Sequence, residues 1–225
     1  MHPFSHHCHN EPSSKETKGL VLNGGWRYDL HGWFTETIVF RGKSRELRQK
    51  TVDLARIQPG EQVLDVGCGT GTLAIEVARR VGPAGHVAGI DPGAEIARAS
   101  AKAARHNVPI DFQLGVIEEI PFSNQTFDVV FSTLMMHHLP APLKRQGLSE
   151  IARVLKPGGR LIIADFKHRS ERSGLAARFH AGGSRLQDLA ALVSDVGFHD
   201  LEMVEVQLQR FSTFPGAGIV CAYKR

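Results

Sequence analysis

From Glu61 to the C-terminus the chain switches repeatedly between two periodicities, and this alternation constrains the fold more than any single motif. QVLDV at 62–66 is a short apolar run of the kind that forms a buried strand. Leu73, Ala74, Val77, Ala78 and Val81 then recur on one helical face, which Gly82-Pro83 closes. HVAGID at 86–91 reads as a second strand, and 93–106 as a second helix with Arg98, Lys102 and Arg105 facing outward. IDFQLG and FDVVFS are further strands. Leu148, Ile151, Ala152 and Leu155 mark another helix, stopped by Lys156-Pro157-Gly158-Gly159. RLIIADF at 160–166 is a fifth strand, 185–196 a helix, and LEMVEVQL and GIVCAYK are closing strands. Repeated strand–helix alternation implies an α/β protein whose mostly parallel sheet is covered on both faces.

The organisation around that core is simple. Residues 1–24 are polar and aperiodic and read as a mobile tail; 25–43 gather aromatic residues into a lid segment; 44–225 form the main domain, opened by a polar helix at 44–57 and closed off by Gln58-Pro59-Gly60. With 225 residues, 42% of them hydrophobic, the chain can bury one sizeable core. A net charge of +4 is too weak to indicate a nucleic-acid partner. No apolar run approaches the ~20 residues of a membrane span. The first residues lack the apolar stretch of a secretory signal. Cys8, Cys68 and Cys221 are odd in number and widely spaced, as expected of a cytoplasmic protein rather than a disulfide scaffold. Oligomeric state is not encoded in any of these features.

The turn after the first strand, DVGCGTG at 65–71, carries the chemistry. Its Gly67-x-Gly69-x-Gly71 spacing differs from the G-x-G-x-x-G of dinucleotide sites, and it lacks the Lys of a P-loop. Bare backbone at a helix N-terminus still favours a close-lying ligand. Asp91, 20 residues beyond Gly71, ends the next strand, where a carboxylate can accept both hydroxyls of a ribose. The pair asks for a nucleoside with free ribose hydroxyls and a small group near the glycines. An NAD(P)-linked dehydrogenase is the competing enzyme reading, which the glycine spacing disfavours.

VLDVGCGTG at 63–71, GID at 89–91, IPFSNQTFDVVFS at 120–132 and EIARVLKPGGRLIIADF at 150–166 together resemble the class I S-adenosylmethionine-dependent methyltransferases. MMHHL at 135–139 is similar to the ubiquinone/menaquinone-biosynthesis C-methyltransferases and their small-molecule relatives. The resemblance covers roughly residues 45–223. It implies a Rossmann-like seven-stranded sheet in the order 3-2-1-4-5-7-6, with strand 7 antiparallel. It implies S-adenosylmethionine as cofactor. Gly67, Cys68, Gly69 and Gly71 would then pass beside its methionine part, with Asp65 organising the loop and the ammonium. Asp91 would hold the ribose and Pro92 lie against adenine. Ser132 and Thr133 would offer carbonyls near the methionine end. Val116 stands where the family often has an acidic residue facing the adenine amino group; the Ile117 N–H remains for adenine, and Glu118 or Glu119 could substitute if the loop shifts.

The expected reaction is methyl transfer to a small molecule, with a quinol-like or other aromatic ring as the leading acceptor. Such a transfer needs a base only where the acceptor must lose a proton, and His137 or His138, just beyond the fourth strand, could supply it. Tyr28, Trp33 and Phe34 are the candidate lid over the acceptor. Lys167, Arg169, Arg172, Arg178 and Arg185, against Glu171, form a solvated loop that could alternatively meet an acidic substrate. His6, His7, Cys8 and His9 are too adjacent for a closed metal site, and Ser132 replaces the acidic ligands of metal-dependent catechol O-methyltransferases, so no metal is expected. An Asn/Asp-Pro-Pro-Tyr motif is missing after the fourth strand, against nucleic-acid base methylation. The non-enzymatic alternative, a regulatory protein on the same fold with weakened cofactor binding, draws on Val116.

Overall fold

The computed structural model describes residues 43–166, 186–206 and 216–225. The tail, the lid residues Tyr28, Trp33 and Phe34, and the basic loop 167–185 lie outside them. Seven strands form one sheet: β1 (Gln62–Val66), β2 (His86–Asp91), β3 (Asp111–Leu114), β4 (Phe127–Thr133), β5 (Leu155–Phe166), β6 (Phe198–Val206) and β7 (Ala217–Lys224). Their order is β3-β2-β1-β4-β5-β7-β6. β1 to β5 pair in parallel, whereas β7 runs antiparallel to both β5 and β6. The sheet has the order and the antiparallel seventh strand that the resemblance implied.

Helices cover both faces, which is why β1 and β4 read as continuous apolar runs instead of alternating ones. On one face α1 (Lys43–Leu54) and α2 (Thr72–Val81) pack Leu47, Val52, Leu73 and Val77 onto Val63, Val129 and Ile162. On the other, α4 (Ala141–Val154) and α5 (Leu186–Asp195) pack Leu148, Ile151, Leu189 and Val193 onto Leu64, Val130 and Ile163. Burying side chains of this size stabilises by about 1.5–3 kcal/mol each. α3 (Glu95–Arg105) lies against β2 and β3 with Ala99 and Ala103 buried. Among the described residues no helix is long and apolar enough to cross a membrane.

Three boundaries differ from the sequence reading. The Lys156-Pro157-Gly158-Gly159 segment belongs to β5: Gly158 at φ +73° lets it bulge out between the Phe127–Leu155 and Val129–Arg160 pairs. Lys156 pins the bulge by donating to both carboxylate oxygens of Asp128, at 2.8 and 2.9 Å. β6 begins at Phe198, because a second irregularity, with Asp200 at φ 49°, carries pairing past His199. Helix α1 stops at Leu54, and Arg56 turns left-handed at φ 49°. Of the residues expected to face outward on α3, Lys102 instead donates from Nζ to Thr72 Oγ1 at the start of α2.

The β3–β4 connection has no helix. Arg153 of α4 holds it, donating to the carbonyls of Ile120 and Phe122 at 2.8 Å each and to Glu150. The connection therefore returns to the sheet edge at a fixed position beside Asp91, whose carbonyl accepts from Gly115 N–H at 3.2 Å.

Candidate active site

The glycine turn leaves β1 and enters α2 with Gly67, Gly69 and Gly71 all at positive φ, +74°, +50° and +70°. The three have different neighbours. A Cβ on Gly67 would lie 2.6 Å from Met135 Cγ, and one on Gly71 would lie 2.5 Å from Phe112 Cζ. A Cβ on Gly69 would meet nothing within 4 Å. Gly67 and Gly71 are thus small because protein packs on them, while Gly69 opens onto free space. That is the position where a ligand can touch bare backbone.

Two carboxylates hold the turn. Asp65, 2% exposed on β1, points at the start of α2 and accepts the Ala74 N–H. Burial, with the Asp91 charge adding to it, pushes its carboxyl up to about 7 despite that bond. Asp91 accepts from Gly69 N–H at 3.0 Å through one oxygen and from Gly93 N–H at 2.8 Å through the other. A carboxylate offers about four lone-pair sites, so capacity remains for hydroxyl donors. Pro92 is exposed beside it. Val116 and Ile117 are both buried; Ile117 packs on Gly147 of α4, where a Cβ would lie 2.6 Å from Ile117 Cδ1. Cys68 is buried in the turn, and burial pushes its thiol up, as it does for Cys221 on β7.

At the carboxyl end of β4, Ser132 Oγ and Thr133 Oγ1 are buried and have no hydrogen-bond partner among the described residues. Buried hydroxyls are ordinarily paired, so this edge of the sheet is suited to a polar ligand. Leu134 then adopts φ 55° while its N–H donates to Ala164 carbonyl at 2.7 Å. A left-handed Leu costs roughly 1–2 kcal/mol. It reverses the chain into a short 3₁₀ turn at Met136–His138 that folds back over the sheet edge.

That turn brings His137 onto Asp165 of β5. The Asp165 carboxylate, 5% exposed, accepts from the His137 N–H at 2.8 Å and the Phe166 N–H at 2.7 Å. It also meets His137 Nδ1 at 2.6 Å. An ionised carboxylate only accepts, so in this contact Nδ1 is the donor; in the neutral imidazole Nε2 then presents a lone pair. His138 stacks on His137 with ring centroids 3.9 Å apart. Burial, then the neighbouring His137, lower its pKa, and Asp165 opposes them. A pocket opens here, with Met136, Phe166, Leu186 and Leu189 as apolar wall and His137, Asp165 and Lys144 as polar groups.

The sequence reading identified His137 but missed Asp165 and Lys144. Both carried a signal. Asp165 is a carboxylate within the apolar strand LIIADF, at the end where ligands of such sheets bind. Lys144 precedes Leu148 and Ile151 by four and seven residues, placing a charge on the buried stripe of its helix. The turn and the pocket are joined through neighbouring residues: Met135 packs on Gly67 while Met136 lines the pocket.

Comparison with known proteins fits this arrangement. Residues 63–159 match a methyltransferase domain family. The chain is 33% identical over 159 residues to an arsenite methyltransferase of Halobacterium salinarum, covering 66% of this chain and 40% of that protein. It is 34% identical over 158 residues to the ubiquinone/menaquinone biosynthesis C-methyltransferase of Geobacter sulfurreducens, covering 69% and 59%. The chain thus spans about half the length of these curated relatives. The fold matches a crystal structure of a SAM-dependent methyltransferase from Aquifex aeolicus with a TM-score of 0.64 at 23% identity, over 79% of this chain and 89% of that one. Residues 63–159 thus carry a methyltransferase domain, set in a sheet with the strand order that the resemblance to the class I S-adenosylmethionine-dependent methyltransferases implied.

Proposed function

We propose that this protein transfers a methyl group from S-adenosylmethionine to a small hydroxylated aromatic ring of the quinol type. The observation that carries the acceptor half is the His137–Asp165 pair, 2.6 Å apart, in a pocket that Met136, Phe166, Leu186 and Leu189 line together with Lys144. Gly69, Asp91, Asp65 and the hydroxyls of Ser132 and Thr133 fit the cofactor half. In that role Gly69 passes the methionine part, Asp91 takes the ribose hydroxyls, and Asp65 meets the ammonium. Val116, Ile117 and Pro92 give adenine an apolar seat.

S-adenosylmethionine supplies a methyl already activated on a sulfonium. The protein's part is alignment, exclusion of water and one proton transfer. A phenolic acceptor donates its O–H to His137 Nε2, and Asp165 holds the ring in the correct tautomer and steadies the imidazolium that forms. With its hydroxyl proton on His137, the acceptor would be the electron-rich partner for the sulfonium methyl that Gly69, Asp65 and Asp91 would hold in place.

Arsenite is the less suited acceptor. Trivalent arsenic prefers thiolate ligands, whereas the cysteines among the described residues, Cys68 and Cys221, are buried, and burial pushes their thiols up. Unpaired buried thiols also suit a reducing, cytoplasmic setting. Residues 25–43, with Tyr28, Trp33 and Phe34, are proposed as a lid on the domain that starts at residue 44.

The test is transfer of label from methyl-labelled S-adenosylmethionine to a panel of hydroquinones and catechols, with arsenite alongside. The reading expects labelled aromatic product. Label on arsenite alone would overturn the acceptor class, and no label on any acceptor would overturn the activity.

A further inference from the structure

The β3–β4 connection passes Asp91 without a helix of its own, and α4 anchors residues 115–122 of it from the side. Gly115 N–H donates to the Asp91 carbonyl at 3.2 Å. The Ile117 side chain fills the notch left by Gly147, where a Cβ would lie 2.6 Å from Ile117 Cδ1. At the far end stands Arg153. A guanidinium has five N–H donors in a fixed fork, and Arg153 engages all of them. One reaches the Ile120 carbonyl and one the Phe122 carbonyl, at 2.8 Å each. One reaches Asn124 Oδ1 at 2.9 Å, and two reach the Glu150 carboxylate at 2.8 Å each. Glu150 in turn accepts the Ile120 N–H at 2.9 Å. Its bond from Arg153 holds the Glu150 carboxyl below the usual carboxylate range, against the effect of burial, so the clasp is an ion pair at neutral pH.

We infer that Arg153 is a positioning residue for the nucleobase, setting residues 116 and 117 against Asp91 and with them the affinity for adenine. The inference rests on the proposed nucleoside site and deepens it. Val116 and Ile117 carry no polar side-chain atom, and the Ile117 side chain is occupied by Gly147. Such a seat recognises a base by shape and backbone, so its position decides its affinity. A gap of roughly 0.5–1 Å already forfeits a quarter to a half of the van der Waals attraction. A connection without a helix has no internal ladder to hold it to that tolerance. The clasp supplies the hold, three and five residues beyond Ile117, through a planar fork that the single ammonium of a lysine does not reproduce.

The test is calorimetry on the full-length protein with S-adenosylhomocysteine and with S-ribosylhomocysteine, which keeps the ribose and amino-acid part but lacks the base. R153M is expected to weaken S-adenosylhomocysteine about tenfold, the worth of one good hydrogen bond, and to leave S-ribosylhomocysteine within about twofold of wild type. R153K should fall between the two proteins. G147A, whose Cβ pushes on Ile117 with the clasp intact, should repeat the pattern, and these two variants carry the comparison if R153M does not fold. A clasp that serves only the stability of the fold would weaken both ligands alike or neither, and either result overturns the inference. If S-ribosylhomocysteine binds too weakly to titrate, amide exchange at saturating S-adenosylhomocysteine decides. The nucleoside should protect residues 115–122 less in R153K than in wild type and residues 67–71 equally in both; equal protection of 115–122 overturns the inference. Failure of wild type to bind S-adenosylhomocysteine removes the nucleoside site itself and this inference with it, whereas intact binding with an unchanged ligand ratio in the variants defeats the role of Arg153 alone.

Discussion

The two halves of the site are built by different means. The glycine turn between β1 and α2 is made of backbone: three left-handed glycines, the Ala74 N–H on Asp65, and the Gly69 and Gly93 N–H groups on Asp91. The pocket at the ends of β4 and β5 is made of side chains brought from three elements: His137 from the 3₁₀ turn, Asp165 from β5 and Lys144 from α4. Backbone recognition depends on conformation and tolerates few residues, so it leaves a motif. Side-chain recognition depends on register and packing, and leaves none. A common cofactor half with a variable acceptor half is what this division of labour permits, and fold alone does not name the acceptor.

If the halves are separable, substitutions should damage one and spare the other. The largest effect is expected at His137. H137Q should lower turnover by about 10²–10⁴-fold, the usual worth of a positioned base, with S-adenosylhomocysteine affinity within about threefold of wild type. D165N should follow it in direction and shift the pH dependence of turnover, since the imidazole loses the carboxylate that orients it. Unchanged turnover in H137Q would remove the base from the scheme.

A smaller effect, confined to the cofactor half, comes from Asp65. Its carboxyl, pushed up to about 7, is largely protonated in the unliganded protein at pH 6. An ammonium arriving beside it would expel that proton, so nucleoside affinity should rise about tenfold between pH 6 and 8 and level off above. Calorimetry in buffers of different ionisation enthalpy should register proton release below pH 7. The sign for fold stability is the reverse. The raised carboxyl contributes fully below its ordinary value of 3.8, and that contribution is lost as pH rises through about 7. A flat affinity profile would place the ammonium elsewhere.

The smallest effect separates two glycines of one turn. G69A should cost roughly 1–2 kcal/mol of stability for its left-handed backbone and weaken nucleoside binding, leaving the pocket intact. G67A carries the same backbone cost, and its Cβ would also displace Met135, against which it would lie at 2.6 Å. It should therefore lower both nucleoside affinity and turnover. Thermal unfolding with and without S-adenosylhomocysteine, alongside the label assay, measures both.

This comparison also explains what could be read from the chain. The strand order was implied by the resemblance alone, whereas the parallel sheet covered on both faces was legible because buried strands and one-faced helices leave periodic marks. The residues of the glycine turn and Asp91 were readable for the same reason: their roles are local. The His137–Asp165 pair was not, since 28 residues separate its members. Their meeting depends on the Thr133–Ala164 register, which places Asp165 across from the reversed chain at Leu134. That register lies beyond a bulge whose outline no periodicity records. Lys144 was hidden because a charge on a buried stripe reads as a break in the pattern until the pocket is seen.

The most direct measurement is calorimetric titration of wild type and D91A with S-adenosylhomocysteine. The expected result is micromolar binding to wild type and at least about 100-fold weaker binding to D91A. That variant loses both the ribose acceptor and the clasp on Gly69 and Gly93. Absence of binding to wild type at millimolar concentration, or equal binding by the two proteins, would contradict a cofactor site at the glycine turn.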